Sequence, residues 1–260
     1  MTAPEIAPDR SHHAVVDAQF GPRAAAYVQS AVHASGADLD ALEDLVRRTR
    51  PARALDIGCG GGHVAYRLAP HAGEVVACDL SADMLDAVRR MAAERALHNI
   101  ATRQAPAEAL PFPDAAFDFV ASRFSAHHWR DLGAGLAQAR RVARPGAGAV
   151  FIDAVSPGRP LLDSHLQAVE LLRDPSHVRD YTIGEWAMAV ERAGFTIEAV
   201  ARQQVRMDFG AWTERMRTPK IQVEAVRALQ QLAADEVRSH FAIEADGSFQ
   251  LDVMVLQAVA

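Results

Sequence analysis

The amino-acid sequence predicts an α/β protein: a doubly wound, mainly parallel sheet of seven strands, with an antiparallel last strand and a helical lid and insert. Three observations lead to this fold class. Short apolar segments alternate with helix-length segments between residues 53 and 154. The first apolar segment runs into a glycine-rich turn, Gly58–Gly62. The second ends in a carboxylate, Asp79, so both turns carry residues that suit a bound ligand.

The first part of the sheet follows from the order of apolar and helical segments. Pro51 and Pro70 stop the helices before them, because proline lacks the N–H that a helix interior needs. Ser81 is expected to be the N-cap of the next helix. Strands that alternate with helices of this length are parallel and joined by right-handed crossovers. In chain order, we predict a helix at 38–48, strands at 53–57, 74–78, 100–104, 117–122 and 150–154, and helices at 62–69, 81–97 and 132–143.

The last hundred residues complete the sheet and add helices. Thr182 is expected to cap a helix that Gly194 closes, and the last strand is expected to be antiparallel. The predicted segments are helices at 161–172, 185–193 and 219–239, with strands at 195–205 and 251–259. We therefore expect three regions, namely an N-terminal helical lid (1–50), a cofactor-binding core (51–155), and a substrate-side helical insert with the C-terminal completion of the sheet (156–260).

Composition excludes several classes of partner. The chain has 260 residues, of which half are apolar, and a formal net charge of -6, so it has no global positive field for a nucleic-acid backbone. The N-terminal residues contain no apolar run that would make a signal peptide or a membrane anchor. Cys59 and Cys78 lack metal-ligand spacing and are interpreted as reduced, small hydrophobic residues. We expect a cytoplasmic protein.

The turn after the first strand brings backbone close to a ligand. Gly58, Gly60 and Gly62 permit this approach because glycine has no Cβ. Asp56 stands two residues before the first glycine, where a dinucleotide site has an apolar residue and room for a pyrophosphate. A carboxylate at that place suits a ligand with positive charge.

Asp79 ends the second strand and indicates an adenosine ligand. Its carboxylate can accept two hydrogen bonds from a ribose diol, while Leu80 and Met84 can enclose an adenine ring. Sites for nicotinamide dinucleotides place an acid in the same way, so this residue does not by itself indicate methyl transfer. The alternative is that Asp79 only caps the helix near Ser81.

Several segments occur in a characteristic order, namely the glycine-rich turn, Asp79, Ala107–Pro113, Phe117–Val120 and Leu136–Gly146. Together they resemble class I S-adenosylmethionine-dependent methyltransferases of the ubiquinone/menaquinone-biosynthesis type. The resemblance covers roughly residues 53–153 and implies a Rossmann-like fold, S-adenosylmethionine as cofactor and methyl transfer. We expect a small-molecule acceptor, because the helical additions outside the core are modest and the chain has no basic surface for nucleic acid.

Carried over by residue, the resemblance implies that the glycine turn, with Cys59, packs against the methionine part of the cofactor, and that Asp79 holds the ribose. It also implies that Ala107 and Glu108 border the adenine. The chain departs from the pattern at Pro106, where family members often have an acid that bonds the adenine amino group. Recognition of adenine must then use other groups, such as Glu108 or a backbone carbonyl.

The loop after the fourth strand carries Arg123, assigned to the cofactor site, and the pair His127 and His128. Ligands of open α/β sheets bind beyond the carboxyl ends of the strands, so this loop is expected to face the transferred methyl group. A neutral imidazole there can remove a proton from the acceptor. We favour His127 slightly because it stands closer to the strand; the alternative for either histidine is packing under the sheet edge.

Other assignments stay open. Tyr27 either closes on the methionine end of the cofactor or only anchors the N-terminal helix. No third ligand accompanies the adjacent histidines at a suitable spacing, so we expect no metal site. The alternatives to a methyltransferase are a nicotinamide-dependent oxidoreductase and a non-catalytic protein that binds the cofactor.

Overall fold

A seven-stranded sheet forms the centre of the protein. The structure is a computed structural model that describes residues 11–24 and 36–260. The strands lie in the order β3-β2-β1-β4-β5-β7-β6. They are β1 (Arg53–Ile57), β2 (Glu74–Asp79), β3 (Ile100–Gln104), β4 (Phe117–Arg123), β5 (Ala143–Ala154), β6 (Thr196–Met207) and β7 (Phe249–Val259).

The strand directions confirm the predicted doubly wound fold. Strands β1 to β5 pair in parallel, whereas β7 pairs antiparallel with both β5 and β6. The strand order reverses between β1 and β4, which are neighbours in the sheet although β2 and β3 separate them in the chain. Such a reversal leaves a crevice beyond the carboxyl ends of the strands, and ligands bind there.

Helices cover both faces of the sheet. One face packs Leu136, Phe151 and Trp186 into a buried cluster. The other face buries Leu39 and Val88. The helices of the described residues are α1 (His12–Phe20), α2 (Ala37–Thr49), α3 (His63–Leu68), α4 (Ala82–Glu94), α5 (Leu132–Val142), α6 (Pro160–Arg173), α7 (Ile183–Arg192), α8 (Phe209–Met216), α9 (Lys220–Leu232) and α10 (Asp235–His240).

The C-terminal helices form a core of their own. Leu162 of α6, Trp212 of α8 and Phe241 after α10 pack together against the start of β7. Thr182 caps α7 as predicted, because its hydroxyl accepts the N–H of Glu185 and the Glu185 side chain accepts the N–H of Thr182. This capping box fixes the start of α7 beside the insert.

Three details of the sequence prediction are wrong. The predicted helix at 219–239 is two helices, since Ala233 and Ala234 have extended backbone between them. Helix α8 was not predicted; it begins where the Asp208 side chain accepts the N–H of Ala211. Strand β5 begins at Ala143 and not at residue 150, and its register against β4 shifts between Phe117 and Phe119.

Candidate functional site

A cavity opens beyond the carboxyl ends of β1, β2 and β4. It holds about 960 Å³ of empty space, counting the part open to solvent. Eleven of the residues that the sequence assigned to the site line it, namely Asp56, Gly58, Cys59, Gly60, Asp79, Leu80, Met84, Ala107, Glu108, Arg123 and His128.

The glycine turn forms the floor of the cavity. Gly58, Gly60 and Gly62 have φ angles of +67°, +47° and +81°, which residues with a Cβ rarely adopt. The N–H groups of Gly58 and Cys59 donate to the carbonyl of Cys78, at 2.8 and 2.9 Å, and tie the turn to the end of β2. Gly58 and Gly60 line the cavity with the backbone of the turn, whereas Gly62 does not line it and packs against Tyr66 and Val88.

Asp56 is a buried carboxyl at the edge of the turn. It is 1% exposed, and one oxygen accepts the N–H of Ala65 at 3.0 Å. Burial raises the pKa of Asp56 to about 8, although the Ala65 N–H and the positive charge of Arg123 act in the opposite direction. A cationic group bound beside Asp56 would favour its charged form.

Asp79 joins the two turns of the cavity. Its Oδ2 accepts the N–H of Gly60 at 2.8 Å, and its Oδ1 accepts the N–H of Ser81 at 2.9 Å. Ser81 is the N-cap residue of α4, as predicted, but its hydroxyl makes no cap hydrogen bond. Asp79 thus holds the N-cap residue of α4 and still lines the cavity, so the two interpretations of Asp79 are compatible.

The side of the cavity assigned to adenine is apolar with one carboxylate. Leu80, Met84 and Ala107 line it together with Pro106. The Glu108 carboxylate also lines it, and its Oε1 accepts the backbone N–H of Arg130 at 2.8 Å. Glu108, one of the groups expected to replace the acid that is absent at Pro106, therefore lies on the cavity wall, and the N–H of Arg130 holds its carboxylate.

The β4 loop contributes two groups that the sequence interpretation missed. Phe124 has a φ of +49°, a strained conformation for a residue with a Cβ. After this bend the Ser125 hydroxyl accepts the indole N–H of Trp129 at 3.0 Å, and both residues line the cavity.

Arg123 is buried on the wall of the cavity in an ion pair with Asp38 of α2. Only the folded chain brings Asp38 to this site.

The two histidines of the loop have different environments. His127 is not among the described residues that line the cavity, and its Nδ1 lies 2.5 Å from Asp153 Oδ1. Burial disfavours its charge, but the Asp153 carboxylate outweighs burial and raises the pKa of His127 to about 9. His128 lines the cavity. The His127 ring instead contacts Asp153 of β5, although the sequence interpretation slightly favoured His127 as the base.

His128 is held as a neutral ring. Burial, and then the positive charge of His127, lower the pKa of His128. Its Nδ1 donates to the carbonyl of Ser176 at 3.1 Å, which leaves Nε2 as the proton-accepting nitrogen. At neutral pH the ring is therefore uncharged, and the lone pair of Nε2 is able to accept a proton.

Helix α1 covers part of the cavity. His13, Val16 and Phe20 line it, and the Phe20 ring packs edge-on against His128 at 4.9 Å between centroids. His12 Nε2 donates to the carbonyl of His128 at 2.9 Å. Tyr27 lies outside the described residues.

The cavity residues that the sequence interpretation missed differ in the signal that they carry in the sequence. Ser125 and Trp129 stand in the loop that the sequence had singled out, where polarity beside the histidines was the available signal. Val16 and His13 carry no such signal, because their place on the cavity depends on how α1 packs.

Among residues 11–24 and 36–260, no group of three or more His, Cys, Asp or Glu residues is arranged to hold a metal ion. Within the same residues, no helix is long and apolar enough to cross a membrane.

Comparison with known proteins identifies a methyltransferase domain. Residues 55–151 match the family model described as a methyltransferase domain. The chain is 45% identical over 201 residues to the uncharacterized protein YafE of Escherichia coli K12, covering 77% of this chain and 97% of YafE. Over 115 residues it is 36% identical to the ubiquinone/menaquinone biosynthesis C-methyltransferase UbiE of Hahella chejuensis, covering 43% of this chain and 46% of UbiE.

A third relative extends the similarity to the whole fold. The uncharacterized methyltransferase YcgJ of Bacillus subtilis is 29% identical over 240 residues, which are 92% of this chain and 95% of YcgJ. The crystal structure of YcgJ superimposes with a TM-score of 0.79 at 28% identity, covering 85% of this chain and 98% of that structure. The similarity thus includes the C-terminal strands and helices as well as the core.

Proposed function

Because the chain belongs to the S-adenosylmethionine-dependent methyltransferases, we propose that it methylates a small-molecule acceptor held in the cavity beside His128 and helix α1. The observation that carries this proposal is a single cavity that brings Asp56, Asp79 and the neutral ring of His128 together at the carboxyl ends of adjacent strands. The net charge of -6 supports a small acceptor over a nucleic acid. We propose a cytoplasmic location, supported by two free, buried cysteines.

The charged groups of the cavity suit the cofactor. S-adenosylmethionine has a ribose diol, an ammonium group, a carboxylate and a sulfonium that carries the electrophilic methyl group. Asp79 would accept hydrogen bonds from the diol, and Leu80, Met84 and Ala107 would enclose the adenine. Asp56 would face positive charge, and the Arg123 guanidinium would face the carboxylate. The glycine turn would leave room for the methionine part of the cofactor between these groups.

His128 is proposed to act on the acceptor. Its Nε2 is free to accept a proton, because Nδ1 donates to the Ser176 carbonyl. The proton of an acceptor hydroxyl, amine or acidic carbon would pass to Nε2 as the acceptor atom forms its bond to the methyl carbon. Most of the rate enhancement would come from in-line positioning, with proton removal as the smaller contribution.

In this proposal the acceptor binds at the wall of the cavity opposite the residues that would contact the cofactor. Val16 and Phe20 of α1 give an apolar surface, and Ser125 and His128 give polar ones. Helix α1 would exclude water from the reacting atoms once the acceptor is in place. In this proposal α1 is the lid that the sequence predicted.

A metabolite screen with methyl-labelled cofactor tests the proposal. The expected result is a product heavier by one methyl group, formed together with S-adenosylhomocysteine. His128→Ala protein that still binds the cofactor is the matched control, and it should give little product. Cofactor binding without any product across chemically varied hydroxyl, amine, thiol and carbon acceptors would favour the non-catalytic alternative.

A further inference from the structure

A buried acid on β5 contacts the loop that carries the two histidines. Asp153 is 1% exposed and follows the β5 residue that pairs with the end of β4. Its Oδ2 accepts the N–H groups of Ala126 and His127, at 2.8 and 3.3 Å. Its Oδ1 accepts the N–H of Ala154 and lies 2.5 Å from His127 Nδ1. One carboxylate thus holds the backbone of the short helical turn Ala126–His128 and the His127 ring.

We propose that Asp153 is a positioning residue: with His127 it forms a permanent ion pair that fixes the Ala126–His128 turn and keeps His128 in its neutral, proton-accepting form. The inference deepens the proposed function, on which it rests for the role of His128. A carboxylate at hydrogen-bond distance stabilises the charged imidazole. The charged His127 ring lies 4.1 Å from the His128 ring between centroids. A second positive charge at that distance in a buried place is unfavourable.

The other charged groups around the pair have different effects on the two rings. Glu170 of α6 adds negative charge near His127 and helps to keep it protonated. Asp180 of the insert acts in the same direction only when it is ionised, and burial raises the pKa of Asp180 to about 8. Asp174 of the insert acts against the proposal, because its Oδ2 lies 4.0 Å from His128 Nε2 and favours a charged His128. His177, with its ring centroid 6.0 Å from that of His127, has a strongly lowered pKa because of burial and then the charge of His127.

Contacts of the insert support a fixed geometry. The carbonyl of His127 accepts the N–H groups of Val178 and Arg179, at 2.8 and 3.3 Å. The Ser176 carbonyl, which accepts from His128, belongs to a residue whose N–H and hydroxyl both donate to Asp174. His12 of α1 donates to the carbonyl of His128. Contacts from β5, from the insert and from α1 thus hold the turn. Among these contacts, the Asp153 carboxylate is the charged group that bonds the turn directly.

Two substitutions separate the charge of Asp153 from its hydrogen bonds. In Asp153→Asn the side-chain oxygen can still accept the N–H of Ala126, and the amide can donate to His127, but the negative charge is gone. In Asp153→Ala both are lost. We expect faster amide hydrogen exchange at residues 126–128 in Asp153→Ala than in Asp153→Asn. Equal exchange in Asp153→Ala and the wild type would contradict the positioning role.

Histidine titration by NMR tests the charge without reference to activity. In the wild type, His127 should stay protonated above neutral pH, while His128 should stay neutral down to mildly acidic pH. In Asp153→Asn, His127 should lose its proton below neutrality, and the His128 midpoint should rise toward the ordinary histidine value of about 6.5. His127→Gln, which removes the cation directly, should raise the His128 midpoint further and serves if Asp153→Asn does not fold.

Asp174→Asn is the matched control. It removes a buried carboxylate from the other side of His128 and leaves His127 charged, so the His128 midpoint should not rise. The acid limb of kcat/KM should follow the His128 midpoint in every variant. An unchanged His128 midpoint in both Asp153→Asn and His127→Gln would overturn the proposal. Midpoints that move while the acid limb stays would support the ion pair and contradict His128 as the base.

Discussion

The side chain of Ser125 occupies the space that a side chain at residue 58 would need. A Cβ built on Gly58 would overlap Ser125 Oγ and lie 2.7 Å from Ser125 Cβ. The β1 turn and the β4 loop are therefore in direct contact across the floor of the cavity, and Trp129 holds the hydroxyl from the far side. Glycine at residue 58 is required for this contact as well as for a positive φ angle.

Gly58→Ala is expected to destabilise the protein more than Gly60→Ala. Both substitutions place a Cβ on left-handed backbone, which costs roughly 1–2 kcal/mol. Only Gly58→Ala adds a clash, because nothing lies within 4 Å of a Cβ at Gly60. Thermal unfolding of the cofactor-free variants measures the difference. Ser125→Gly in the Gly58→Ala background should recover it, with Ser125→Gly alone as the control; equal losses in the two alanine variants would contradict the contact.

Asp79→Ala is expected to weaken S-adenosylmethionine binding by about tenfold or more, since charge-assisted hydrogen bonds contribute about 1.5–3 kcal/mol. The same substitution frees the Gly60 N–H that Asp79 holds. Calorimetric titration gives the affinity. Ser81→Ala is the control, because the Ser81 hydroxyl has no hydrogen-bond partner among the described residues and its loss should leave affinity unchanged. If Asp79→Ala binds the cofactor with wild-type affinity, Asp79 only caps α4 and does not hold the cofactor.

Cofactor binding is expected to release protons from Asp56. The pKa of Asp56 is raised to about 8, so the carboxyl is mostly protonated at pH 7 before binding. A bound cation favours the carboxylate, which lowers the pKa and releases up to about one proton. Affinity should therefore rise as the pH increases toward about 8 and level off above it. Calorimetry in buffers of different ionisation enthalpy measures the release, and Asp56→Asn should abolish it.

His128→Ala is expected to lower turnover by roughly 10²–10⁴-fold while cofactor affinity stays nearly intact. His127→Ala should instead lower the melting temperature, because it leaves the buried Asp153 carboxylate without its charged partner. Since the pKa of His128 is lowered, the wild-type rate should hold well below the ordinary histidine pKa of about 6.5. Both variants need turnover, affinity and thermal unfolding measurements on one acceptor. Full turnover in His128→Ala would mean that catalysis relies on positioning alone.

Most of the fold could be predicted from local patterns. Prolines, glycines and caps mark where elements stop, and their spacing gave the parallel core and the capping box at Thr182. The predictions that failed lie where tertiary packing overrides local preference. Helix α8 is one such case, since Trp212 packs it against α6 and the start of β7. The break between α9 and α10 is another, because two alanines that favour helix adopt extended backbone there.

The sequence by itself determined the chemistry available at the strand ends: the bare glycine turn, the carboxylates Asp56 and Asp79, and a pair of histidines after β4. These residues stand next to the strands that place them, so their position follows from the local order of the chain. Only the tertiary structure decided which histidine faces the cavity. That choice depends on Asp153 and Ser176, 26 and 48 residues away from their histidine partners, because a buried ring takes the orientation in which its nitrogens are hydrogen-bonded.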